Sequence, residues 1–187
     1  MAQSHSQQEG TFHITTNAKG KIPWCTLRGV PEILINNLIM TRNIHGAKVY
    51  AFCILTDHVH MVVSPGERGL SAFMHSFKRN SSWHIHRVPL ATTTAGVHEP
   101  QLWKILNSRI PAVGIQDPQI PAIDVEKIHW ENGFHSRIIQ DTEQRSTALT
   151  YVHYNAWRHG LCTSPEDWPW SSLRFVNLLD PTEIRLD

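Results

Sequence analysis

The chain has 187 residues, 41% of them hydrophobic and 18% charged, with 17 Lys and Arg against 16 Asp and Glu for a formal net charge of +1. That balance suits one folded domain spanning residues 1–187 and excludes a disordered chain, a membrane-embedded chain and a nucleic-acid binder recognisable by bulk charge alone. No apolar run approaches the roughly 20 residues of a membrane span, and the start lacks the blocks of a signal peptide, so a cytoplasmic protein is expected.

Thr11 to Thr16 is rich in β-branched and aromatic residues and ends at Asn17-Ala18-Lys19-Gly20, which predicts a first strand and a turn. Pro31 suits a first helical turn, Leu34, Ile35, Leu38 and Ile39 form an apolar stripe, and Gly46 stops it, giving a helix from Pro31 to His45. A hairpin follows: Val49 to Leu55, a turn at Thr56-Asp57, then His58 to Ser64. Leu70, Phe73, Met74 and Phe77 recur at helical spacing and lead into Lys78, Arg79 and Arg87, a second helix with a basic tail. Val88 to Ile128 holds five of the eleven prolines and reads as an irregular insertion. Gly133 to Gln140 predicts a strand, and Asp141-x-x-Gln144 opens a helix running to Gly160. Trp168 and Trp170, in the tail from Pro165 to Phe175, are expected to pack back on the domain. The order is βαββαβ plus a final helix: an α+β, ferredoxin-like antiparallel sheet with helices on one face.

Cys25, Cys53 and Cys162 are far apart and form no Cys-x-x-Cys pair, so they read as reduced and structural. Thirteen histidines raise the question of metal. His58 and His60 stand at the start of a returning strand, where residues i and i+2 share a face and both imidazoles can reach one ion. His84 and His86, two apart on a helix, diverge by about 200° and are set aside. Tyr151 and Asn155 are four apart on the last helix and share a face, which offers a phenol and an amide oxygen together. Two imidazoles and an amide leave positions open for water or phosphate oxygen, which suits Mg²⁺ or Mn²⁺. A metal so placed would polarise a phosphate for attack by a tyrosine, with Tyr151 on the facing side and Tyr154, about 300° further round the helix, as the rival nucleophile. Lys78, Arg79, Arg137 and Arg158 are candidate phosphate contacts, and Trp83 or Trp130 candidate stacking residues.

The run Tyr50-Ala-Phe-Cys-Ile-Leu-Thr-Asp-His-Val-His-Met-Val-Val63 resembles the core strands of single-tyrosine HUH transposases. Tyr151-Val-His-Tyr-Asn-Ala-Trp-Arg-His-Gly-Leu161, followed by Asp167-Trp-Pro-Trp-Ser-Ser172, resembles the C-terminal signature of the REP-associated tyrosine transposase branch. The likeness covers most of residues 11–87 and 130–175. It implies that His58, His60 and Asn155 hold a divalent metal, and that Tyr151 forms a 5′-phosphotyrosine bond in single-stranded DNA and releases a 3′-OH. The implied partner is single-stranded or hairpin DNA with no membrane, and a homodimer in which one tyrosine serves its partner's histidines stays open. Two departures stand out: Asn155-Ala156 replaces the usual Asn-Pro, and Asp57 stands where Asn or Glu is common, as a partner to the metal ligands or a plain turn residue. A non-cleaving DNA-binding protein of the same fold and a metal phosphoesterase using water are the competing readings.

Overall fold

Strands β1 (Thr11–Asn17), β2 (Lys48–Ile54), β3 (His58–Ser64) and β4 (His135–Ile139) form one antiparallel sheet in the order β2-β3-β1-β4. The computed structural model describes residues 10–87 and 125–181. Helix α1 (Val30–His45) joins β1 to β2, α2 (Gly69–Ile85) follows β3, and α3 (Thr142–Arg158) follows β4. This is the expected ferredoxin-like connectivity with its additional last helix. Of the irregular insertion, residues 88–124 lie outside the described residues; its end forms the short turn Val125–Lys127 and buries Ile128.

Alternation along each strand gives the sheet two different faces. Phe12, Ile14, Phe52, Val59, Met61 and Val63 face α1 and α2, where Leu34, Leu38, Phe73 and Phe77 complete a buried apolar core. Ala51, Cys53, Leu55 and Val62 face the other way, against Leu149, Val152 and Ala156 of α3. The last helix therefore covers the face opposite the other two, a placement the element order alone did not specify.

Local chemistry sets the element ends. Gly46 closes α1 in the left-handed conformation at φ 60°. At Gly66, ahead of α2, φ is 78° and a Cβ would strike the carbonyl of His45, so only glycine lets the two chain segments approach. Asp141 caps α3 by accepting from the Gln144 N–H at 2.7 Å, and the Gln144 side chain accepts from the Gln140 N–H at 3.1 Å.

The C-terminal tail closes the outer edge of β2. The Ile54 N–H donates to the Trp170 carbonyl at 3.0 Å, Trp168 Nε1 donates to the Ile54 carbonyl at 2.8 Å, and the Phe52 N–H donates to Ser172 Oγ at 3.0 Å. Asp180 finishes the edge, accepting from the Val49 N–H at 2.8 Å through its carboxylate. The packing of Trp168 and Trp170 against the domain is as the sequence led one to expect.

Candidate active site

On the α3 side of the sheet, β3 presents His58 and His60 while neighbouring β1 presents His13 and Thr15, since Thr15 pairs with His60 and His13 with Val62. The two imidazoles of β3 lie with ring centroids 4.9 Å apart. Each is oriented through Nδ1: His58 by the Asp57 carboxylate at 2.6 Å and His60 by the Thr15 hydroxyl at 2.8 Å. That leaves Nε2 of each ring as the nitrogen for a ligand. Asp57 thus does more than make the turn: it holds a histidine in place and sits 3.8 Å from Lys21.

Burial keeps these rings neutral, the form that ligates metal. His60 is pushed down to about 3 by burial and by the neighbouring His58, His13, His159 and Lys21. His58 is lowered by burial, against the opposing pull of Asp57, and His13 by burial and Arg137.

From α3, Tyr151 brings its ring to 5.3 Å from that of His60, perpendicular to it, and to 5.2 Å from that of His13. One turn on, Asn155 is buried, and its Oδ1 has no hydrogen-bond partner. A buried amide oxygen without a donor costs free energy unless something else satisfies it, and a cation would. Among the described residues no three His, Cys, Asp or Glu side chains form a metal-binding group, so an ion here would have to rest on two imidazoles and the amide. That donor set fits Mg²⁺ or Mn²⁺ with open positions.

Other expected contacts divide between the faces. Arg158 places its guanidinium 5.4 Å from the Tyr151 ring centroid, and Arg137 lines a groove of about 550 Å³ that runs from His13 and Tyr151 along the first half of α3. Lys78 and Arg79 lie on α2, across the sheet. Lys78 donates to the carbonyls of Glu131 and Gly133 at 2.5 and 2.6 Å, tying α2 to the segment before β4, while Arg79 borders a second groove of about 440 Å³. Trp130 is a core residue rather than a stacking platform: it is buried against Trp24 and Phe77 and donates to Ser81 Oγ at 3.0 Å. Trp83 is exposed, with Arg87 over its ring at 3.9 Å. The discarded pair separates as expected: His84 bonds Asn37 at 2.9 Å, and His86 stacks near His129. Tyr154 points to solvent.

Three residues near the site escaped sequence reasoning: His13, Thr15 and His159, whose ring is 5.7 Å from that of His58. The alternation Thr11, His13, Thr15 was a usable signal for the first two. His159 follows the last helical residue and had none.

A family model described as "Transposase IS200 like" matches residues 6–105, more than half of the chain. The chain belongs to the IS200-like transposase family. The matched residues include His58 and His60 and stop before Tyr151 and Asn155. This family member is 24% identical over 122 residues to a curated Haemophilus influenzae protein named as a REP-associated tyrosine transposase; the match covers 65% of this chain and spans 56% of the relative's length. Among solved structures, a REP-associated tyrosine transposase bound to a REP hairpin superposes with a TM-score of 0.64 at 16% identity, covering 100% of this chain and 92% of the other, a likeness of fold. No helix among the described residues is long and apolar enough to cross a membrane.

Proposed function

We propose that this transposase-family chain cuts and rejoins single-stranded DNA beside a hairpin through a covalent bond between Tyr151 and a 5′ phosphate. The observation that carries the reading is the Tyr151 ring 5.3 Å from His60, one helical turn before Asn155, whose buried oxygen lacks a donor. The hairpin bound by the structural relative supports the substrate class.

His58 and His60, through Nε2, and Asn155, through Oδ1, would hold a divalent ion that polarises the phosphate and offsets its charge. Asp57 and Thr15 keep the two rings turned towards that position. The Tyr151 oxygen loses its proton and bonds to phosphorus, the bond from phosphorus to the 3′ oxygen breaks, and that oxygen takes up a proton. The products are a 5′-phosphotyrosine and a free 3′-OH; attack by a 3′-OH on the same phosphorus runs the step backwards and rejoins DNA. Arg158, over the Tyr151 ring, adds positive charge where phosphate arrives.

Incubation with a hairpin oligonucleotide carrying single-stranded flanks and Mn²⁺, followed by denaturation and mass spectrometry, should place the nucleotide on Tyr151. Tyr151→Phe should lose the adduct entirely while folding normally. An adduct on Tyr154, or free 5′-phosphate with no attached protein, would refute the assignment.

A further inference from the structure

The distal half of α3 carries exposed aromatic surface that the cleavage step does not use. Tyr154 is 42% exposed and Trp157 49%, and their rings meet edge to face with centroids 6.2 Å apart, which leaves ring faces open to solvent. Isolated exposed apolar residues are ordinary, but two adjacent aromatics beside a site are not. Around the helix axis, taking Tyr151 as zero, Asn155 lies at about +40°, Arg158 at about −20°, Tyr154 at about −60° and Trp157 at about −120°. Amide, phenol, guanidinium, phenol and indole thus follow one arc from the buried face to solvent. No acidic residue interrupts Tyr151 to Gly160, which carries Arg158, His153 and His159. The groove lined by His13 and Arg137, with Asp141 and Glu143 at its far end, leaves Tyr151 towards the start of the helix, and the aromatic pair lies beyond Tyr151 in the other direction.

The geometry points to Tyr154 and Trp157 as a stacking platform for bases of the DNA strand that flank the phosphate at Tyr151, with the groove taking the other flank. Continuity with the site, the Arg158 guanidinium between the aromatic pair and Tyr151, and the lack of acidic residues over 151–160 favour a nucleic-acid strand over a protein partner. Tyr151 to Trp157 rises about 9 Å along the helix, the reach of two or three stacked nucleotides at about 3.4 Å each. Stacking is blind to base identity, so the platform adds affinity and registers the strand without reading sequence.

This inference rests on the DNA-processing reading, and its test separates the two. Full-length protein carrying Tyr151→Phe is titrated with labelled oligothymidylate and with an abasic oligomer of equal length and charge. The parent should bind the oligothymidylate more tightly, and Tyr154→Ala with Trp157→Ala should shrink that preference by about 5- to 50-fold. Tyr154→Phe and Trp157→Phe should keep it. An unchanged preference in the doubly substituted, natively folded protein overturns the platform even if the Tyr151 adduct forms. A lost preference on the double substitution, together with no adduct on the protein that keeps Tyr151, upholds the platform and overturns cleavage. A concentration-dependent dimer that dissociates on Trp157→Ala, with no base preference in the parent, assigns the patch to a second copy and overturns the platform.

Discussion

On β3, Val59, Met61 and Val63 enter the core beneath α1 and α2, whereas His58 and His60, one residue out of step, meet α3. The apolar face is filled by large side chains, Phe12, Phe52, Phe73 and Phe77 among them, all at most 1% exposed. Buried polar atoms without partners occur on both sides of the sheet: Asn155 Oδ1 and His13 Nε2 on the α3 face, and Thr16 Oγ1 beside Phe12 and Ile14 on the apolar face. One face therefore carries the large apolar side chains of the core, and the other brings the histidines of β3 against Tyr151 and Asn155 of α3. Because both are built from the same strands, substitutions one residue apart should have opposite consequences.

The sharpest contrast is Phe52→Ala, which opens a cavity on the apolar face and should cost about 3–5 kcal/mol. Urea unfolding would measure it; a loss under about 1 kcal/mol would mean this face packs more loosely than the burial of Phe52 implies. Next is acid. His60 is held to about 3 in the folded chain, against about 6.5 when unfolded. The unfolded state therefore binds the extra proton, and stability is complete above about pH 6.5 and declines as pH falls towards 3. In chelator, His60 alone should remove about 2 kcal/mol by pH 5, with His58, His13 and His153 acting in the same direction. A urea midpoint that stays level between pH 7.5 and 5 contradicts a neutral buried cluster. The smallest effect on stability belongs to Asn155→Leu, expected to unfold within about 1 kcal/mol of the parent because it removes an unsatisfied acceptor. The same change should cut adduct formation at least about a hundredfold. Strong destabilisation by that substitution would place Asn155 among the residues that hold the fold.

Period-two and helical patterns made every main element legible, with ends displaced by a residue or two. The hairpin turn, the Gly46 stop and the Asp141 cap are local signals, and the structure bears them out. The side of the sheet taken by α3 was not legible, since alternation on β3 creates two faces without saying which helix covers each. Within the site, the pairing of His58 with His60 and of Tyr151 with Asn155 follows from spacing inside single elements. His13 and Thr15 join them only through the register of β1 on β3, a contact 45 residues apart in the chain at Thr15 and His60. Trp130 could be a stacking surface or a core ring, and its stretch has no periodicity to decide between them; its burial comes from an isolated bridge to Ala18 and the rings of Trp24 and Phe77.

The tail that seals β2 bears on how far the chain can be shortened. Trp170, Ser171, Ser172 and Asp180 occupy the backbone groups along that strand's outer margin. A protein ending after α3 would bare a mostly apolar strand, a template on which other molecules add strands and aggregate. The smallest well-behaved fragment accordingly runs through Asp180, well beyond the last residue expected to touch the phosphate.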